Sequence, residues 1–263
     1  MTAEVRQTQR RFSTRLIRKG ALIEETYRGF QVWDRDRPLP ENLDRIRETN
    51  PFGAANQAWL REVVVTISGR FRSQAQVRPL VALAQRGLPI EQWRAFLLWH
   101  VGQTDALYYS FATRWLFDAY WKGLHNLRTE AVVPILKAAM RNGRASHHGL
   151  SEYGLTRGAR DLLRMAGDFG LLHGKAVKNF TAYQVPESGF LYALHALTEL
   201  EPNCRKMMDR PEWRLFLLSP GQVEREVLNL HQFRKLEYHT AGSLAQLKLP
   251  CASAVEFAEH LKS

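Results

Sequence analysis

The sequence has few of the residues that build metal sites or disulfide frameworks. Cysteine occurs twice in 263 residues, at Cys204 and Cys251, and neither belongs to a CxxC pair. Two isolated thiols predict neither a zinc site nor a disulfide framework and are typical of reduced, buried cysteines. The N-terminus carries arginine in place of the apolar core of a signal peptide. The sequence also contains no run of about 20 apolar residues, which is the length that a membrane-spanning helix needs. We therefore expect a soluble, cytoplasmic protein without a membrane partner.

The motifs of common enzyme classes are also missing. The chain has no GxxxxGK[ST] loop to bind phosphates, no GxGxxG, no HExxH and no GxSxG. Adjacent His147 and His148 are the best candidates for a metal or acid–base site, but neither cysteine nor an acidic cluster accompanies them. Two acidic pairs, Glu24–Glu25 and Asp34–Asp36, could suggest the carboxylate cluster of a nuclease. The metal-binding geometry and supporting lysine that a nuclease site normally needs are not found with them. We expect no catalysis, no cofactor, no metal and no small-molecule substrate.

Positive charge is in excess, and arginine supplies most of it. The chain has 37 Lys or Arg against 26 Asp or Glu, a formal net charge of +11, and 28 of the 37 cations are arginine. A guanidinium offers a planar fork of donors that suits phosphate, and it is less strongly hydrated than an ammonium. This composition favours a polyanionic partner such as nucleic acid or an acidic membrane surface, although charge alone does not identify one.

Apolar residues, 45% of the chain, recur mostly at helical spacing. The predicted helices cover residues 20–34, 43–47, 54–72, 76–85, 90–101, 105–122, 129–141, 157–169, 187–199, 222–233 and 253–261. The β-branched run Val63–Val65 would also suit a strand, but the surrounding period favours helix. The aromatic residues of 105–122 are expected to be core more than a stacking platform for bases. His100 and His195, on mostly apolar faces, are expected to be satisfied core residues.

A second pattern of elements follows the first helices. After the polar loop 142–149, Thr156 is predicted to cap a helix over Arg157–Phe169, and Leu171–Val185 holds two short extended pieces around a basic connection. Helix, turn, helix and hairpin is the order of a winged helix-turn-helix. A weaker second hairpin is predicted within 236–249.

We therefore predict a mainly α fold with an N-terminal helical bundle followed by winged helix-turn-helix-like modules with short β-hairpins. The predicted divisions are a basic N-terminal arm at 1–19, a helical domain at 20–128, a winged-helix-like domain at 129–186, and a C-terminal helical domain with a possible second β-hairpin at 187–263.

Two groups of basic residues are candidate nucleic-acid contacts. Arg157, Arg160 and Arg164 are three and four positions apart, so they project from one face of the predicted helix, opposite its apolar residues. The hairpin adds Lys175 and Lys178. The N-terminal arm supplies the second group, which consists of Arg10, Arg11, Arg15, Arg18 and Lys19. The alternatives are that the helix simply exposes a solvated face and that the arm is a disordered tail.

Three sequence blocks carry a resemblance to a known family. They are FSTRLIRKGALIEETYRGF (Phe12–Phe30), NPFG (Asn50–Gly53) and LTRGARDLLRMAGDFGLL (Leu155–Leu172). With this spacing the chain resembles the BrxA family of bacterial BREX phage-defence systems, whereas residues 187–263 match less clearly.

The resemblance implies a non-catalytic, mostly helical protein with winged-helix character. It also implies binding to double-stranded DNA without strong sequence preference, in support of host methylation and phage restriction. A methyltransferase, a phosphatase-like protein and ATPases of the same system are implied as possible partners. Two other functions stay open: a protein-interaction scaffold that docks acidic partner surfaces, and an RNA-binding helical protein.

Overall fold

In a computed structural model of the protein, the described residues are Arg10, 12–142, 151–242 and 244–261. The helices in these ranges are α1 Thr14–Ile17, α2 Ile23–Gln31, α3 Leu39–Thr49, α4 Gln57–Arg70, α5 Gln74–Gln85, α6 Ile90–Thr104, α7 Ala106–Ser110, α8 Phe117–Trp121, α9 Thr129–Asn142, α10 Glu152–Asp168, α11 Glu187–Leu200, α12 Cys204–Met208, α13 Pro220–Gln232 and α14 Ala254–His260. A π-helical segment, Phe111–Leu116, joins α7 to α8, and a 3₁₀ helix, Pro211–Phe216, precedes α13.

Four short strands form two antiparallel hairpins. In the first hairpin β1 (Leu172–His173) pairs with β2 (Asn179–Phe180), and in the second β3 (Glu237–Ala241) pairs with β4 (Leu244–Lys248). The prediction of a mainly α fold with short hairpins is therefore confirmed, and the second hairpin does form. No helix among the described residues has the length and apolar character needed to cross a membrane.

The start of α10 differs from the prediction. The helix begins at Glu152 because the Ser151 hydroxyl, 3.2 Å from the Gly154 amide, accepts its hydrogen bond as an N-cap. Thr156 therefore lies inside the helix, where its hydroxyl donates to the Glu152 carbonyl. The cap is thus Ser151, five positions before the predicted one.

Nearly all of the buried apolar residues form one cluster that extends from Ile17 to Ala258. It crosses every boundary of the predicted division that falls within the described residues. Inside it, α9 crosses α10 closely at Gly158, where a Cβ atom would lie 2.8 Å from Leu136 of α9. This close packing fixes the direction of α10, the helix that carries the predicted arginine ridge.

Both predicted core histidines are buried. The Nε2 atom of His100 lies 2.7 Å from the Tyr192 hydroxyl, and burial lowers the pKa of His100 to about 3. His195 is 2% exposed, but its Nε2 atom has no hydrogen-bond partner among the described residues. The expectation that both would be satisfied is therefore wrong for His195.

Candidate nucleic-acid interface

Helix α10 separates its apolar and basic residues onto two faces. The buried apolar face consists of Leu155, Ala159, Leu162, Leu163, Met165 and Ala166. Arg157, Arg160 and Arg164 are exposed, as their spacing predicts. The guanidinium groups of Arg157 and Arg160 make no hydrogen bond or ion pair within the part of the chain that the structure describes.

One acidic residue lies within this ridge. Asp161 is 8% exposed and pairs with Arg164 at 3.3 Å. Burial raises the pKa of Asp161, and four arginines oppose that effect, namely Arg164, Arg157, Arg18 and Arg160. Arg157, Arg160 and Arg164 project from the exposed side of α10, and we call these three residues together with Arg18 the α10 arginine cluster. Among the described residues, only Arg164 forms an ion pair with Asp161.

The N-terminal segment contributes Arg18 to the cluster. Helix α1 packs against both α4 and α10, and its N-cap is Ser13, whose hydroxyl accepts from the Arg15 amide. The exposed Arg18 follows this helix, and Arg164 donates a hydrogen bond to its carbonyl oxygen. The arm and the α10 ridge, which are separate candidates in the sequence, are thus continuous here.

Two side chains hold the segment in this position, the buried guanidinium of Arg70 and the half-buried carboxylate of Asp168. The guanidinium of Arg70, at the end of α4, donates to the carbonyls of Leu16 (2.9 Å), Gly20 (2.5 Å) and Ala21 (2.7 Å). The Asp168 carboxylate, at the end of α10, accepts from the Ala21 amide at 2.9 Å. We call these contacts the 16–21 clasp.

The charge of Arg70 persists inside the clasp. Burial lowers the pKa of Arg70 to about 10, and Asp105 and Asp168 oppose that effect. Arg70 is therefore protonated at neutral pH. Since Arg70 is 1% exposed, its guanidinium positions backbone and is not a surface for phosphate.

The other basic residues of the segment are partly neutralised. Arg15 lies 4.0 Å and Lys19 3.8 Å from the Glu62 carboxylate, and the Lys19 ammonium is 5.3 Å from the centre of the Trp59 ring. Both pairs are partly exposed, so they hold the side chains weakly. Arg15 and Lys19 can therefore reach an anion at the edge of the cluster.

Arg10 is placed differently from the rest of the arm. Its guanidinium lies 3.5 Å from the centre of the Tyr109 ring and donates to Gly102, Gln103 and Glu212. Glu212, with 3% of its side chain exposed, also pairs with Arg210. Arg10 is thus bound to an internal carboxylate. Arg11, the remaining candidate of the arm, lies outside the described residues.

The two lysines of the first hairpin differ in their freedom. Lys175 is exposed in the connection between β1 and β2. The Lys178 ammonium donates to the Gly174 carbonyl at 2.6 Å and so closes the same connection. The Lys178 backbone also pairs with Leu127 through two hydrogen bonds of 2.7 and 2.9 Å. This makes Leu127, just before α9, a third strand-like element beside the hairpin.

Several residues of this region are absent from the sequence-based candidates. Arg70, Asp168 and Leu127 act through contacts between distant segments, for which the sequence carries no local signal. Tyr153, in the first turn of α10, is 76% exposed. Tyr153 lies four positions before Arg157, so the two share one helical face. This spacing is the sequence signal that could have added Tyr153 to the candidate residues of the interface.

The weaker catalytic candidates receive no support. Among the described residues, neither Glu24–Glu25 nor Asp34–Asp36 belongs to a group of three side chains that could bind one metal ion. Glu24 faces Arg28, and Asp34 faces Arg37. His147 and His148 fall outside the described residues.

Comparison with protein families identifies a relationship that covers most of the chain. The family model described as BrxA matches residues 10–190, which is more than half of the chain and includes α1, α10 and the first hairpin. No curated protein and no solved structure matches the chain.

Proposed function

Because the chain belongs to the BrxA family, we propose that it is a double-stranded DNA-binding accessory protein of a BREX phage-defence system. Family membership supports the role in phage defence. The DNA-binding activity rests on one observation, the α10 arginine cluster, whose four side chains are exposed and in which Arg164 pairs with Asp161 and with the Arg18 carbonyl. In this proposal Arg157 and Arg160 contact phosphates directly, with Arg18 and Arg164 beside them.

The order of elements supports a winged-helix mode of binding. Leu127, α9, α10, β1 and β2 follow one another, and Leu127 pairs with Lys178, the residue before β2. Strand, helix, helix and hairpin is the order expected of a winged helix-turn-helix. In a helix-turn-helix the second helix enters the major groove, which is about 12 Å wide and admits an α-helix. Helix α10 then enters the groove, and Lys175 reaches a flanking phosphate.

Arginine contacts to phosphate carry no sequence information. We therefore propose binding that depends little on sequence. We also propose that the protein has no catalytic activity of its own and that it acts beside the methyltransferase, phosphatase-like protein and ATPases of its system.

The experiment is a gel-shift titration of the double variant Arg157→Gln with Arg160→Gln on two unrelated duplexes over a series of salt concentrations. Each lost phosphate contact flattens the plot of log K against log salt by about 0.9, so the slope should fall by about 2. Affinity should fall equally on both duplexes. These two residues are preferred because their guanidinium groups have no partner among the described residues, so the fold should tolerate the change.

The matched control is Arg45→Gln with Arg225→Gln, which removes the same charge from α3 and α13. Helix α3 packs mainly on α4, and α13 packs on α12 and β3. The control should leave the slope nearly unchanged. Equal losses in both double variants would mean that net charge, not this surface, determines affinity. Tighter binding of a structured RNA than of duplex DNA would instead support the RNA-binding alternative.

A further inference from the structure

We propose that Cys251, Glu256 and His260 form a zinc-binding site at the C-terminal helix α14. A ligand atom from each of the three side chains lies within 4.8 Å of the other two. No other group of three or more His, Cys, Asp or Glu residues meets this condition in the described ranges. The site lies beyond residue 190, outside the matched region, and is independent of the proposed DNA-binding function.

Local structure explains why the three side chains converge. The Ser253 hydroxyl caps α14 by accepting from the Glu256 amide at 3.0 Å, and the helix then runs from Ala254 to His260. Glu256 and His260 are four positions apart and so share one face of α14. The chain leaves β4 at Lys248, and the turn before α14 brings the Cys251 thiol to that face.

Each of the three donor types is one that zinc binds. Thiolate, imidazole and carboxylate bind Zn²⁺ at about 2.0–2.3 Å, so tetrahedral ligand atoms are about 3.5 Å apart. Because the three ligand atoms already lie within 4.8 Å of one another, small side-chain rotations would bring them to these distances. A thiolate disfavours Mg²⁺ and Ca²⁺, which take oxygen ligands. The Oε2 atom of Glu256 accepts from the Ala252 amide at 2.8 Å, and this hydrogen bond orients the carboxylate.

The imidazole of a buried histidine packs against α14, the helix that carries Glu256 and His260. His195 of α11 packs its ring 5.1 Å from the Phe257 ring, and Glu256 acts on it electrostatically. Its buried Nε2 atom has no hydrogen-bond partner among the described residues. Three protein ligands leave the fourth position of zinc to water, and such a water is the kind of group that an orphaned imidazole nitrogen can bind.

A bound metal would fasten the end of the chain. Helix α14 packs against α5 and α11, and Arg78 of α5 pairs with Glu259 at 2.8 Å. Zinc would join the turn that holds Cys251 to the last residue of α14.

The experiment uses the untagged full chain and two metals, Zn²⁺ and Co²⁺. Competition with a chromophoric chelator measures zinc affinity, and Co²⁺ reports a thiolate ligand through its sulfur-to-metal charge-transfer absorption. We expect one metal per chain, a charge-transfer band, and a Kd weakened more than about tenfold by Cys251→Ser or His260→Gln. Because His260 is exposed, its replacement should not impair folding.

The matched control is Cys204→Ser, which removes the other thiol, buried elsewhere in the chain. It should retain both the band and the affinity, whereas Cys251→Ser should lose the band. Circular dichroism checks that every variant is folded. A Kd that is the same in the parent and in His260→Gln overturns the proposal, and so does a thiolate band that depends on Cys204 or is absent.

Discussion

Replacing Gly20 by alanine tests whether the 16–21 clasp positions the arginines of the proposed interface. Gly20 has φ = +75°, in the region that side chains disfavour, and a Cβ atom there would lie 2.4 Å from Oδ2 of Asp168. That oxygen accepts from the Ala21 amide. The alanine must therefore displace the carboxylate and break the hydrogen bond that ties the segment to α10.

The expected cost has two parts. A left-handed backbone costs a non-glycine residue about 1–2 kcal/mol, and the reduced entropy of the unfolded chain offsets part of it. Loss of the buried hydrogen bond adds about 1–3 kcal/mol. Gly87→Ala isolates the first part, because Gly87 has φ = +76° and nothing within 4 Å of its Cβ position. Urea unfolding should therefore show Gly20→Ala to be about 1–3 kcal/mol less stable than Gly87→Ala.

The functional result separates the two variants further. Gly20→Ala should weaken duplex DNA binding and flatten its salt dependence, because Arg18 loses its fixed position beside Arg164. Gly87→Ala should bind like the parent, with both proteins assayed well below their unfolding temperatures. If Gly20→Ala loses the expected stability but binds DNA with an unchanged salt slope, the arm is not part of the interface.

Three further changes follow from individual side chains. Burial raises the pKa of Asp105 from 3.8 to about 6, so its ionisation at neutral pH costs the folded state about 3 kcal/mol. Asp105→Asn should raise the free energy of urea unfolding by up to that amount at pH 7, a gain that disappears below about pH 4; a difference that does not vary with pH contradicts this assignment. Lys175→Gln should flatten the salt slope of DNA binding by about 1 in the same gel-shift titration, and an unchanged slope would remove the hairpin from the interface. Arg10→Gln should lower stability by about 1–3 kcal/mol, because the buried Glu212 loses one of its two cations and keeps Arg210 and the Tyr109 hydroxyl, yet leave DNA affinity unchanged. Weaker binding at unchanged stability would return Arg10 to the interface.

Features that depend on neighbours within a few residues could be predicted from the sequence. The exposure of Arg157, Arg160 and Arg164 follows from helical spacing, because the apolar residues of the same helix fix which face is buried. The two hairpins follow from short extended pieces on either side of a turn. Both are local patterns, and the structure contains both.

Features that depend on distant segments could not be predicted. Arg70 looks like any arginine at a helix end, yet its guanidinium is enclosed by the carbonyls of a segment about 50 positions earlier. Arg10 looks like part of a basic tail, yet it pairs with Glu212, 202 positions away. A single sequence shows which residues are charged, but it does not show which of them pair in the folded protein. For the same reason the grouping of Cys251 with Glu256 and His260 appears only when the turn before α14 is known.

The acidic residue inside the arginine cluster explains why its members should differ in role. Without Asp161, four guanidinium groups on adjacent surfaces would repel one another and disfavour the folded arrangement. Asp161 relieves this repulsion, but it is 8% exposed and forms a direct ion pair with Arg164 only. Arg164 also donates to the Arg18 carbonyl, so its guanidinium has two internal partners, whereas Arg157 and Arg160 have none among the described residues. Replacing Arg164 should therefore lower both stability and DNA affinity, while replacing Arg157 or Arg160 should lower affinity alone. In the proposed function it is this local arrangement, more than the net charge of +11, that provides the contacts to phosphate.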